Sequence, residues 1–274
     1  MKNFSKRGLL AGISIAGVLL TGALTASAAP TTLIYINSSG GALFSYDPGN
    51  SYAETLIAGS TGAFSISSGP AANTIYIQSG AGKLSTYDLI NNVQSGGVGS
   101  VPGNALGEGR DGFLYAGSGT ALYRVNPVTG VSTLIGSGTN GYAGDLAVDP
   151  TDLTVLYGAV NAGGGVALVK VNKTTGAQSA PLSFGLLSGT SIFGLGFALD
   201  GTLYAAGPIA GGGEIYTVNK TTGLATAVHT VSYSPFDMAT QPFAVNESTV
   251  PEPMTFALVA LGFAGLAFSR RKKA

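Results

Sequence analysis

The sequence predicts an all-β protein, a five-bladed β-propeller, and three observations support this prediction. A pattern long enough for four strands occurs five times, at intervals of 38 to 47 residues. β-branched and aromatic residues lie between Gly-rich turns, and residues 29–245 show no long amphipathic helical segment. The first copy lacks a strand that reappears after the fifth copy, as expected when both ends of a chain close the ring.

One strand of each copy ends at an Asp or Asn, which we use as an anchor to compare the copies. The anchors are 41, 38, 46 and 47 residues apart, and they are Asp47, Asp88, Asn126, Asn172 and Asn219. Four residues before each anchor lies an aliphatic residue, two before it a polar one, and one before it a large, mostly apolar one. This alternation predicts a strand with one better-buried face. The anchor side chain is expected to cap the following turn, as in NPVTG and NKTTG.

A second strand of each copy carries a tyrosine. These residues are Tyr35, Tyr76, Tyr115, Tyr157 and Tyr204. Gly-rich segments such as NAGGGVA join this strand to the anchor strand, because a tight hairpin needs residues that accept positive φ. Exposed tyrosines would stack on sugar rings, but a tyrosine at one place in every repeat more often packs between blades, and we predict packing.

The remaining strands complete four per copy. A third strand follows each anchor turn, as in STLIGS and ATAVHTV, and a fourth precedes the tyrosine strand, as in AFSIS, NALGEG, DLAVD and FGLGFAL. The first copy has no such fourth strand, and the unpaired segment FDMATQPFAV follows the fifth copy. A β-solenoid is the main alternative, but its repeats are shorter and need no additional terminal strand.

The segments LYRVNPVTG and DLAVDPTDLTVLY resemble the extracellular propeller repeats grouped loosely with NHL and quinoprotein-like sequences. That resemblance implies blades and no particular activity.

Two terminal segments predict export. Lys2, Lys6 and Arg7 precede an apolar stretch and the small-residue site 26–28, so residues 1–28 are expected to be a cleaved signal peptide rather than an N-terminal anchor. At the other end a linker, 246–253, precedes an apolar run and a basic tail, 254–274. The apolar run from Met254 to Phe268 is about 22 Å long as a helix, which is short for a bilayer of about 30 Å.

This C-terminal arrangement resembles the PEP-CTERM sorting signal of Gram-negative bacteria. The matching residues are Val250, Pro251, Glu252 and Pro253, with Arg270, Arg271, Lys272 and Lys273 in the tail. The resemblance implies recognition by exosortase at the inner membrane, delivery to the cell surface or beyond, and association with exopolysaccharide. An ordinary C-terminal membrane anchor is the alternative, because basic residues on the cytoplasmic side also retain a transmembrane helix.

Composition excludes several functions. Residues 29–250 contain 6 Lys or Arg and 12 Asp or Glu, a net charge of 6 − 12 = −6, which argues against nucleic-acid binding. The chain has no cysteine, so thiol chemistry is excluded. The single histidine, His229, lies in a third strand and is expected to be exposed, so nucleophilic triads and zinc hydrolysis have little support.

Acidic residues are the remaining candidates for chemistry. Four of them are predicted to shape turns before the tyrosine strand; these are Asp111, Asp149, Asp152 and Asp200. A calcium site at Asp145, Asp149 and Asp152 is a weaker hypothesis, since the spacing is not that of an EF-hand loop.

Inner strands converge on one channel, and the candidate residues at its mouth are Glu108, Asp145 and Asp237, with Arg110 nearby. They could gather a cation, or they could be solvated or bonded to neighbouring backbone. We predict a non-enzymatic surface or matrix protein without a cofactor, whose partner is exopolysaccharide or another surface protein. A calcium-dependent propeller hydrolase or lyase is the alternative.

Overall fold

The computed structural model describes residues 32–186 and 190–241, and these residues form five four-stranded antiparallel sheets. The predicted signal peptide, the sorting motif and the basic tail lie outside the described residues. The five-bladed propeller prediction is confirmed, and the β-solenoid alternative is wrong.

Blades 2 to 5 each use four consecutive strands, from the inner strand at the channel to the outer strand. Blade 2 contains β4 (Ala63–Ser68), β5 (Thr74–Ser79), β6 (Leu84–Asp88) and β7 (Val93–Gln94). Blade 3 contains β8 (Ala105–Glu108), β9 (Leu114–Ser118), β10 (Ala121–Val125) and β11 (Ser132–Ser137). Blade 4 contains β12 (Tyr142–Asp149), β13 (Asp152–Ala162), β14 (Gly165–Asn172) and β15 (Leu182–Ser183). Blade 5 contains β16 (Gly194–Phe197), β17 (Leu203–Ile209), β18 (Gly212–Val218) and β19 (Ala225–Val231).

Blade 1 is built from both ends of the described chain. It combines β1 (Ile34–Ser38), β2 (Leu43–Asp47) and β3 (Ala53–Ala58) with the inner strand β20 (Pro235–Thr240). A short 3₁₀ helix, Pro48–Asn50, joins β2 to β3. Ile34 lies opposite Thr240 in the ladder, and the amide of Gln241 donates to the carbonyl of Leu33 over 2.7 Å. The unpaired segment after the fifth copy therefore closes the ring as predicted.

Five apolar clusters hold the ring together, one at each interface between consecutive blades. Each repeated tyrosine belongs to the cluster that joins its own blade to the next one, and all five tyrosines are buried. Burying a large apolar side chain stabilises a fold by about 1.5–3 kcal/mol, so each repeated tyrosine contributes to the cohesion between its blade and the next. The packing prediction for the tyrosines is confirmed, and the sugar-stacking alternative is wrong for them.

The anchor residues cap their turns as predicted. In all five copies the Asp or Asn side-chain oxygen accepts hydrogen bonds from one or two backbone amides two or three residues later in the chain. These bonds satisfy amides that the strand ladder leaves without partners. The turns differ in sequence, but in each of them the anchor side chain caps the backbone that follows.

The ring has two unlike faces. The terminal face contains the ends of the inner strands, the anchor turns, Leu33 and Gln241. The loop face lies at the other end of the channel. It consists of turns 39–42, 80–83, 119–120, 163–164 and 210–211, together with loop segments 59–62, 95–104, 138–141, 184–186, 190–193 and 232–234. Hydrogen bonds such as Thr61 N to Gly41 O and Tyr142 N to Gly119 O join neighbouring members of this face.

Candidate functional site

The channel is closed near its middle by two carboxyl groups that bond to inner-strand amides. Inner strands of a propeller expose one backbone edge to the channel, and each unpaired amide there needs an acceptor. Five equivalent amides, one from each blade, donate to two carboxyl groups. Asp145 accepts from Leu106, Leu146 and Leu195, and Asp237 accepts from Ile66 and Met238. The two acids therefore connect all five inner strands through hydrogen bonds.

Asp145 and Asp237 also influence each other's titration. Both are almost fully buried, at 1% and 2% exposure. Burial, and then the charge of Asp237, raise the pKa of Asp145 well above its usual range. Burial likewise raises the pKa of Asp237 to about 7, although hydrogen bonds from Ser65 and two backbone amides act in the opposite direction. Both carboxyl groups therefore retain their protons to a higher pH than an ordinary aspartate does.

A small cavity lies between this pair and the terminal face. Its volume is about 20 Å³, and Ser68, Glu108, Arg110 and Thr240 line it among others. That volume holds about one water molecule. Burial raises the pKa of Glu108, and the positive charge of Arg110 opposes the shift. Oε2 of Glu108 has no hydrogen-bond partner among residues 32–186 and 190–241, so one water in the cavity would satisfy it.

The four predicted channel residues thus divide into two pairs at different depths. Asp145 and Asp237 close the channel, whereas Glu108 and Arg110 lie closer to the terminal face. Asp145, Asp237 and Glu108 are buried and Arg110 is half-buried. The carboxyl groups of Asp145 and Asp237 accept hydrogen bonds from neighbouring backbone. Within the described ranges, no group of three or more acidic, histidine or cysteine side chains is arranged to hold a metal ion.

The predicted turn role of the four other aspartates is confirmed. Each accepts from the amide two residues later: Phe113 for Asp111, Thr151 for Asp149, Thr154 for Asp152 and Thr202 for Asp200. The side chains of Asp149 and Asp152 are therefore engaged within their own turn. Asp145 bonds elsewhere, in the channel, so the structure does not bring the three members of the hypothetical calcium site together as one ligand set.

Two of these aspartates also join consecutive blades. Lys220 of blade 5 lies 2.8 Å from Asp149 of blade 4, and Lys173 of blade 4 lies 3.1 Å from Asp111 of blade 3. Both lysines occupy the same place in an NKTTG turn. Burial acts to raise the pKa of Asp149, but hydrogen bonds from Lys220 and Thr151 outweigh it and lower the pKa. These pairs stabilise the terminal face.

The environment of His229 corrects one expectation. His229 lies in the outer strand β19, as predicted, but it is half-buried rather than exposed. Its ring stacks on Tyr52 of blade 1 with centroids 5.2 Å apart and an interplanar angle of 11°. The side chain fills the interface between the last and the first blade, which the sequence pattern of a single strand does not reveal.

Three phenylalanines at the loop-face end of the channel were missed by the sequence analysis. The centroids of Phe64 and Phe236 are 5.4 Å apart, and those of Phe193 and Phe236 are 6.1 Å apart. We call these three residues the phenylalanine triad. Aligning the inner-strand segments AFSIS, IFGLG and PFDMA places the three residues in one column, which is the signal that could have found them.

The two faces differ in charge. On the described part of the loop face the single charged residue is Lys83, whose ammonium group donates to the carbonyl of Gly99 over 2.8 Å. The other residues of this face are mainly Gly, Ser, Thr, Asn and small apolar residues. In contrast, the anchor turns and strand ends of the terminal face carry most of the acidic and basic side chains of the body.

Fold and site together define an all-β propeller whose channel is closed by its own side chains. A family model described as the PEP-CTERM protein-sorting motif matches residues 249–272. The chain therefore carries the signal of an exported protein that an exosortase-type system sorts at the membrane, as predicted. No curated protein matches the chain.

Two solved structures are similar to part of the chain. TolB from Acinetobacter baumannii is similar with a TM-score of 0.47 and 12% identity, over 74% of this chain and 53% of that one. Hydrazine synthase from Kuenenia stuttgartiensis is similar with a TM-score of 0.44 and 12% identity, over 72% of this chain and 62% of that one. The chain thus spans less than two thirds of either protein. In residues 32–186 and 190–241 no helix is long and apolar enough to cross a membrane.

Proposed function

We propose that the protein is a non-enzymatic binding module of the cell surface or extracellular matrix and that it associates with exopolysaccharide. The observation that carries this proposal is the closure of the channel. The two acids that a channel enzyme would need for cation binding already accept hydrogen bonds from all five inner strands. They have little capacity left for a metal or a substrate.

The position of the chain ends supports the same proposal. Leu33 and Gln241 are hydrogen-bonded neighbours on the terminal face, so the segment leading to the sorting motif leaves the ring there. While the motif is held at the membrane, the terminal face is the one nearer to the attachment. The loop face is then free to contact a partner, and loops on a rigid scaffold are the usual place for binding residues.

The test compares binding with turnover. The protein exported and purified from its host is mixed with extracellular polysaccharide from the same host, with and without added calcium. We expect retention of the protein by the polysaccharide and no release of reducing ends or unsaturated sugars. Calcium-dependent release would instead support the hydrolase or lyase alternative, and a lack of retention would refute the polysaccharide association.

A further inference from the structure

The phenylalanine triad projects toward the channel axis. Phe193, Phe236 and Phe64 belong to blades 5, 1 and 2, which are consecutive around the ring. A ring on one face of a blade can reach only one neighbouring blade. Because Phe236 contacts a phenylalanine from each of its two neighbours, its ring must point into the space that all three inner strands share, at the channel mouth on the loop face.

The backbone is shaped to direct two of these rings. In blade 1 Asn37 pairs with Asp237 and Ser38 with Pro235, so Phe236 is the extra residue of a β-bulge. In blade 2 Ala63 pairs with Ser79 and Ser65 with Gln78, which makes Phe64 the extra residue of a second bulge. β-Bulges redirect side chains and often occur beside functional sites.

The triad keeps apolar surface in contact with solvent. All three side chains are half-buried, and the five interblade clusters of buried residues in the described chain do not include them. Directly below, Ser65 and Asp237 follow two of the phenylalanines in the chain and belong to the hydrogen-bonded closure of the channel. The triad is thus a shallow apolar platform with a closed floor, and covering it with a ligand would be favourable.

The surroundings of the platform indicate the chemistry of its ligand. Each phenylalanine follows a loop-face segment rich in Gly, Ser or Thr, namely 59–62, 190–192 and 232–234. These segments supply hydroxyl and backbone groups but no charge, so an anionic ligand would find no counter-charge beside the rings. A neutral sugar ring has the complementary arrangement, since one face presents C–H groups and the edge presents hydroxyl groups.

We infer that the phenylalanine triad is a binding site for a sugar ring of a neutral polysaccharide chain. The inference rests on the proposed function. It adds where on the protein the polysaccharide binds and that the bound polysaccharide is uncharged. Sugar C–H groups lie on the rings, while hydroxyl groups bond to the uncharged loop segments. The closed channel floor limits the contact to the mouth, so the site holds a stretch of a long chain without enclosing its end.

The test uses the exported chain and two probes, the neutral and the uronic-acid fractions of the host's extracellular polysaccharide. The variant replaces Phe64, Phe193 and Phe236 with Leu, which keeps apolar bulk but removes the rings. Phe113→Leu is the matched control, because Phe113 is also half-buried but lies on the terminal face under Arg124. Affinity electrophoresis measures binding, and thermal unfolding checks that each variant is folded.

We expect the unmodified protein to bind the neutral fraction, the triple variant to lose about tenfold or more in affinity, and Phe113→Leu to bind normally. If the folded triple variant binds like the unmodified protein, the site is refuted while the polysaccharide association stands. Preference for the uronic-acid fraction refutes the inference that the ligand is uncharged. Binding of neither fraction removes the proposed function and this inference together, and points to a protein partner.

A second measurement covers the case in which the triple variant does not fold. The unmodified chain with isotope-labelled phenylalanine rings is titrated with the neutral fraction and followed by NMR. Assignment uses Phe236→Leu and the other single substitutions. Shifts confined to the ring signals of the triad support the inference, whereas shifts of other phenylalanines with the triad unchanged overturn it.

Discussion

The free energy of unfolding should fall between pH 5 and pH 7, because Asp145 and Asp237 hold protons more tightly in the folded chain than in the unfolded one. An unfolded Asp releases its proton near pH 4. Burial raises the pKa of both residues in the fold, to about 7 for Asp237. In this interval the folded state binds more protons, so stability falls as pH rises. Each retained proton accounts for about 1.4 kcal/mol per pH unit, or about 3 kcal/mol over two units.

The substitution Asp237→Asn isolates the contribution of Asp237 to the pH dependence of the free energy of unfolding. Asparagine cannot titrate, so the slope should decrease by about 1.4 kcal/mol per pH unit. Its amide group also replaces one of the two oxygens that accept from Ile66 and Met238, which leaves a buried donor unsatisfied at a cost of about 1–3 kcal/mol. The variant should therefore be less stable at pH 5, and the difference should narrow as pH rises.

The assay is urea unfolding of the exported chain at pH 5, 6 and 7 and constant ionic strength, followed by circular dichroism. Asp152→Asn is the control, because hydrogen bonds from Thr154 lower the pKa of this exposed aspartate and place its titration below the interval. The control should reproduce the slope of the unmodified protein. A free energy that is constant or rises from pH 5 to pH 7, or an unchanged slope in Asp237→Asn, would refute the interpretation that both acids retain their protons in the fold.

Three further predictions concern the blades and the export signal. Lys220→Met should lower the free energy of unfolding by about 1–3 kcal/mol, because the substitution leaves the buried carboxylate of Asp149 without its cationic partner. Urea unfolding at low and high salt measures this loss. Gly107→Ala should lower the free energy of unfolding by about 1–3 kcal/mol, because an added Cβ would lie 2.3 Å from a backbone carbonyl oxygen of blade 4. Gly80→Ala is the control, because a Cβ there would meet open space, and this variant should unfold almost like the unmodified protein. Replacing both prolines of the motif 250–253 with alanine should leave the protein full-length at its C-terminus in the inner membrane, as measured by intact mass and fractionation; processing and release equal to those of the unmodified chain would contradict this.

The blade number, the strand order and the ring closure were predictable from the sequence because they depend on local regularities. Alternating polar and apolar residues determine which side chains a strand can bury, and Gly and Asx residues determine where it turns. Repetition makes each of these signals visible five times. The repeated tyrosines could therefore be assigned to interblade packing, and the sorting motif is a contiguous segment that needs no fold to be recognised.

The pairing of side chains across the channel was decided only by the tertiary structure. Asp145 and Asp237 were candidates by their place in inner strands, but nothing in their local sequence shows that together they accept hydrogen bonds from all five blades. The phenylalanine triad likewise depends on two bulges that turn its side chains out of the alternating pattern. Sequence periodicity reports which face of a strand a residue occupies, whereas closing the ring determines which residues from distant blades meet at the axis.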